Sequence, residues 1–222
     1  MKYLKNIDFL GYSFQIIFIS LLGVTLFLIL QLNNMKYKWR LPLTISILVT
    51  FIASIHYYYM SKIWNIYKIN PITYRYVDWF LTVPLQIIEF YLIISVVKKL
   101  SLFIFFKLLL LSFLMILFGF LGELKIINRN IGFLIGSIMW LIILYSLFFG
   151  KLSNYQNNIE DKSVISAYNF LKWIVTLGWL IYPIGYLLKY KKMNIIYNYG
   201  DFINKILFVL IIWYFGKYNI LI

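Results

Sequence analysis

The 222-residue chain is a succession of long apolar runs separated by short polar joints. Seven runs are read, at about 13–32, 41–61, 74–97, 101–121, 131–150, 165–188 and 199–216. Each is close to the ~20 residues that a helix needs to cross the hydrocarbon layer of a bilayer. A backbone in lipid must satisfy its own hydrogen bonds, which leaves helices or a closed barrel. The alternating polarity of barrel strands is absent. The pattern therefore predicts an all-α membrane protein, a seven-transmembrane-helix bundle, with residues 1–222 as one domain. The longest polar joint, KLSNYQNNIEDKSV at about 151–164, is expected to be a loop.

Composition narrows the partners. With 63% hydrophobic residues the chain is far from a soluble composition. A formal charge of +14 would suggest nucleic acid in a soluble protein. Here the basic residues lie mostly in joints and at run ends, where they snorkel to lipid head groups, so the expected partner is the bilayer and not nucleic acid. With no cysteine and one histidine, disulfides, thiolate sites and a metal centre are not expected. The N-terminal stretch MKYLKNIDFLGYSF carries lysines, but Asp8 interrupts it and no small-residue cleavage site precedes the first run, so it is read as mature sequence. Lysines and arginines nearly balance on the two sides, with Lys2, Lys5, Lys62, Lys68 and others facing Lys36, Lys38, Arg40, Lys98 and others, so the positive-inside rule does not choose an orientation.

The chemistry is in the polar residues that remain inside the runs. Lys205 sits mid-run in DFINKILFVLIIWYF, one helical turn after Asp201. An ammonium at the bilayer centre costs roughly 2.5–3.5 kcal/mol even on lenient scales, so it must be paired, neutralised or covalently used. The i, i+4 spacing puts Asp201 and Lys205 on one face. That spacing fits an ion pair between helices, and it fits equally a lysine turned into a Schiff base with Asp201 as counter-charge. A second stripe lies in YRYVDWFLTVPLQIIEFYLI, where Arg75, Asp78, Thr82, Gln86 and Glu89 share a helix face. Asp78 and Glu89 are separated by about 16 Å along the axis. Two carboxyls on one intramembrane stripe look like stations on a proton path, with interhelical bonding as the structural alternative.

These segments resemble the microbial (type 1) rhodopsins, and the proteorhodopsins within them. YRYVDWFLTVPLQIIEFYLI is similar to their third helix and DFINKILFVLIIWYF to their lysine-bearing seventh. GWLIYPIGY resembles their sixth helix, His56 in SIHYYYM matches a second-helix histidine, and GFLGE resembles the end of the fourth. The resemblance covers all seven runs in order.

The resemblance implies all-trans retinal bound covalently at Lys205 as a protonated Schiff base. Asp78 and Asp201 would balance its charge, with Arg75 compensating nearby. Light would isomerise the retinal and Asp78 would take the proton, with His56 hydrogen-bonded to Asp78 and Thr82 bonded to it from the next turn. Glu89, buried among Ile88, Phe90 and Tyr91, would be the proton donor. Trp79, Trp179, Tyr182 and Pro183 would line the pocket, with Trp140 and Tyr186 on the same wall. Gln86 would lie over the middle of the retinal chain, the position at which proteorhodopsins with glutamine absorb blue light and those with leucine green.

The implied function is a blue-absorbing, light-driven outward proton pump, a transporter and not an enzyme. A slow-cycling photosensor and a light-gated cation channel are the alternatives on the same fold. The N-terminus is expected outside and the C-terminus in the cytosol, and the tail GKYNILI carries no signalling domain. A homo-oligomer, pentamer or hexamer, is implied. Two features depart from relatives. The outer joints lack a clear carboxylate pair for proton release, and Phe133 fills the place of a small glycine in antenna-binding relatives, so no carotenoid antenna is expected.

Overall fold

The structure is a computed structural model and describes residues 8–218. Lys2 and Lys5, with the rest of the first half of the N-terminal stretch read as mature sequence, and the last residues of the tail lie outside the described residues. The helices are α1 (Phe9–Leu32), α2 (Arg40–Tyr67), α3 (Ile72–Ser95), α4 (Leu102–Glu123), α5 (Arg129–Phe148), α6 (Lys151–Asn157), α7 (Lys162–Trp173), α8 (Ile181–Tyr186) and α9 (Tyr190–Lys217). Together they give seven stretches long and apolar enough to cross a membrane, as the pattern predicts. Helices consecutive in sequence from α1 to α5 pack on one another, and α9 closes the bundle against α1, α2 and α7.

The helices differ in how much of each is inside. Over its most apolar window α3 is 67% buried, whereas α4 is 22% buried. The polar stripe of α3 is therefore wrapped by neighbours, and the outer faces of α1, α4 and α5 present leucine, isoleucine and phenylalanine outward, as a lipid environment requires. α4 and α5 approach closely at Gly122 and Gly132, where a Cβ on Gly132 would lie 2.6 Å from the Phe118 carbonyl oxygen. Small residues at such crossings let backbones meet in a bilayer.

Asp8 ties the start of α1 to the end of α2. Its carboxylate caps α1 by accepting from the Gly11 N–H at 3.0 Å, accepts from Trp64 Nε1 at 2.8 Å, and pairs with Lys68. Partial burial raises the Asp8 carboxyl, but the bonds from Lys68, Gly11 and Trp64 outweigh that and hold it below the usual carboxylate range.

Three boundaries differ from the sequence reading. The segment 151–157 is helical and the next helix starts at Lys162, so the joint at 151–164 shortens to 158–161; Leu152, Ser153 and Gln156 are buried and give the segment a helical inner face. α9 begins at Tyr190 and not near 199, because Met193, Asn194, Tyr197 and Asn198 form a buried stripe that the neighbouring lysines mask. The sixth span, Lys162–Tyr186, is interrupted by a π-helical turn at Ile174–Gly178, in which the Trp179 N–H reaches five residues back to the Ile174 carbonyl at 3.1 Å. π-turns leave carbonyls open to other donors. Here Trp140 Nε1 donates to the Val175 carbonyl at 3.0 Å, and Asn204 Nδ2 to the Gly178 carbonyl at 2.9 Å.

Candidate functional site

The two polar stripes meet in the bundle core. Arg75, Asp78 and Thr82 on α3 and Asp201 on α9 are fully buried, and Lys205 is 1% exposed. Lys205 Nζ bonds Asp78 Oδ2 and lies 3.5 Å from Asp201 Oδ2. Arg75 Nη1 is 3.6 Å from Asp201 Oδ2. Two cations therefore face two carboxylates out of water. Removing one member of such a cluster typically costs about 3–5 kcal/mol, because its partner is left uncompensated.

The carboxylates are held differently. Asp201 accepts from Tyr57 Oη at 2.8 Å, Tyr182 Oη at 2.8 Å and Trp79 Nε1 at 3.1 Å. Asp78 Oδ1 has no hydrogen-bond partner among the described residues. The donors around Asp201 fix an anion, and the open oxygen of Asp78 leaves room for a proton.

The expected bond between His56 and Asp78 is corrected. His56 Nδ1 is 4.0 Å from Asp78 Oδ1, beyond hydrogen-bond reach, and 2.9 Å from the Ile52 carbonyl one turn back. Thr82 does bond Asp78, but through the backbone: its hydroxyl donates to the Asp78 carbonyl at 3.0 Å. In both cases an i−4 carbonyl on the same helix captures the side-chain donor.

Glu89 lies further along the α3 stripe, fully buried. Ser46 Oγ on α2 donates to Glu89 Oε1 at 2.6 Å, while Oε2 has no partner and no cation pairs with the group among the described residues. A buried carboxyl without a cation is stable as the neutral acid. A strip of buried hydroxyls adjoins Ser46, with Thr50 Oγ1 bonded to the Ser46 carbonyl at 3.3 Å and Thr25 Oγ1 to Thr50 Oγ1 at 2.8 Å.

A cavity opens on the other side of Lys205. Trp79, Gln86, Trp179 and Tyr182 line it, as do Pro183, Trp140, Tyr186 and Lys205 itself. The walls are mostly apolar and aromatic, and Gln86 Nε2 is buried without a partner. Phe133 forms part of the wall, its ring 5.6 Å from that of Tyr186. An apolar chain anchored on the only buried lysine among the described residues fits this space, so the residues present suit a retinal on Lys205.

Several residues of the site escaped the sequence reading: Tyr57, Ser46, Asn194, Asn198 and Asn204. For two of them a signal exists. Asn194 and Asn198 extend the Asp201–Lys205 stripe backward at helical spacing, and both reach Arg75.

Comparisons with known proteins agree with this geometry. The family model described as bacteriorhodopsin-like protein matches residues 8–217. The chain is 41% identical over 214 residues to the green-light absorbing proteorhodopsin of Gamma-proteobacterium EBAC31A08, covering 93% of this chain and 86% of that protein. It is 39% identical over 215 residues to the blue-light absorbing proteorhodopsin of Gamma-proteobacterium Hot 75m4, covering 93% and 85%. Among solved structures it is similar to the blue light-absorbing proteorhodopsin from Med12, with a TM-score of 0.83, 39% identity and coverage of 94% and 98%. It is also similar to Exiguobacterium sibiricum rhodopsin, with a TM-score of 0.85, 29% identity and coverage of 96% and 97%. A seven-span fold, a buried lysine between two carboxylates and these matches along nearly the whole chain lead to one conclusion: the chain belongs to the bacteriorhodopsin-like family, alongside the proteorhodopsins.

Proposed function

We propose that this protein is a light-driven outward proton pump of one membrane domain, with retinal held on Lys205, the N-terminus outside and the C-terminus in the cytosol. The observation that carries the reading is the α3 stripe, with Asp78 open at one oxygen beside Lys205 and Glu89 buried without a cation about 16 Å further along the axis. Retinal, when bound, supplies the light-driven change in shape and proton affinity at the Lys205 nitrogen. Asp78 takes a proton from that nitrogen through a carboxylate already in contact with it. Asp201 stays an anion under its three donors and keeps the site's charge balanced. Glu89 holds a proton in the opposite half, positioned by Ser46, and returns it toward Lys205. Among the alternatives on this fold, a photosensor has no need of such a donor, and Glu89 favours the pump.

The test is illumination of unbuffered cells that express the protein with added retinal. The medium acidifies reversibly, and a protonophore abolishes the change. Asp78→Asn removes the acidification and moves absorption to longer wavelength, because the carboxylate that stabilises positive charge near Lys205 is gone. Alkalinisation, or no pH change in the wild type, overturns the pump.

Gln86 supports a blue-absorbing pigment. Its amide lines the cavity with Nε2 unpaired, so a polar group faces the space beside Lys205. A dipole there stabilises the ground-state charge distribution over the excited one. Gln86→Leu therefore moves the absorption maximum toward green; an unmoved maximum in a purified pigment would show that Gln86 does not set the colour.

A further inference from the structure

Arg75 is the largest fully buried side chain among the described residues, and its charge is not spent on Asp78. Its Nη2 donates to Asn198 Oδ1 at 2.6 Å and Asn194 Oδ1 at 3.1 Å, and its Nη1 to Tyr57 Oη at 3.0 Å. Its Nε has no partner among the described residues. Both amides are themselves oriented. Asn198 Nδ2 donates to Ser13 Oγ on α1 at 2.7 Å. Asn194 Nδ2 donates to Asn70 Oδ1 at 2.8 Å and to the Tyr190 carbonyl at 2.9 Å. With their N–H groups engaged elsewhere, the two carbonyl oxygens are left to face the guanidinium. They are neutral, so they hold the cation by its hydrogen bonds without cancelling its charge.

From this geometry we propose that Asn198 and Asn194 are positioning residues that fix the Arg75 guanidinium at a set distance from Asp78 and so set the proton affinity of the acceptor. The inference rests on the pump reading above. Among the described residues the titratable and charged groups around Arg75 are Tyr57 on α2, Asp78 on α3, and Tyr197, Asp201 and Lys205 on α9, while α1 contributes Phe14 and Ser13. Asp78 is faced in addition by His56. Among these the guanidinium is the charge that the amides control. Loss of one amide oxygen frees it to turn toward the carboxylates, of which Asp201 is 3.6 Å away. A carboxylate in place of the amide draws it the other way.

The test is the acid-induced colour change of the purified pigment, which reports protonation of Asp78. Asn198→Leu lowers the midpoint and Asn198→Asp raises it, each by about one pH unit, the low end of what a nearby charge does to a carboxyl. Asn194→Leu and Asn194→Asp give the same pair of signs, so the proposal stays testable if one variant fails to fold. A packing defect moves both members of a pair the same way. Shifts of one sign, or no shift, in pigments whose wild type titrates overturn this proposal alone. A wild type with no acid-induced colour change overturns it together with the pump reading.

Discussion

Lys205→Ala yields a protein that takes up no visible colour with added retinal. Lys205 is the one buried amine among the described residues, and the cavity offers no second one. The absorption spectrum of the purified variant, with and without hydroxylamine, checks this, and a hydroxylamine-resistant visible pigment would sink the assignment. The substitution also acts on stability. Arg75 remains to offset Asp201 at 3.6 Å, but Asp78 loses the cation it touches. The cost is about 3–5 kcal/mol, the usual penalty for a widowed buried charge. Lys205→Ala with Asp78→Asn recovers much of that loss while staying colourless, which separates the cofactor role from the structural one.

Glu89→Gln slows the return to the dark-state spectrum after a flash by about a hundredfold, the lower range of what a positioned general acid contributes. The amide is close to the carboxyl in shape and keeps an oxygen for the Ser46 hydroxyl, bonded at 2.6 Å in the wild type, so the fold is retained. It cannot deliver a proton. The colour hardly changes, because Glu89 is not among the residues lining the cavity beside Lys205. Azide, a small permeant acid, restores much of the rate. Recovery at the wild-type rate would make Glu89 a structural residue and favour a sensor.

The seven spans and the two stripes were legible because a polar residue in lipid is costly and its periodicity is therefore visible. What surrounds the stripes was not. In SIHYYYM three tyrosines follow one another, and only the helix azimuth decides that Tyr57 is fully buried against Asp201 while Tyr58 and Tyr59 are 39% and 47% exposed. Asn194 and Asn198 fell before the expected start of the last span, in a stretch whose lysines hide its buried face. His56 lies close to Asp78 as the resemblance implies, yet its bond goes to Ile52, a competition between acceptors that residue identity does not reveal. The broken sixth span left no mark in its hydropathy.

That break has a geometric consequence for the chain's evolution and engineering. An α-helix advances about 100° per residue. The π-turn at Ile174–Gly178 holds one residue more than an α-turn, so it sets the azimuth of everything after it. Trp179, Tyr182 and Tyr186 point at the cavity in that phase. Closing the turn with every residue kept would rotate the three aromatics together, by about 100°, off the wall, leaving the first half of the span in place; deleting one residue as the turn closes would bring them back. A relative that keeps the same wall on an unbroken helix must be one residue shorter here, and an alignment of the two needs a one-residue gap between Ile174 and Gly178.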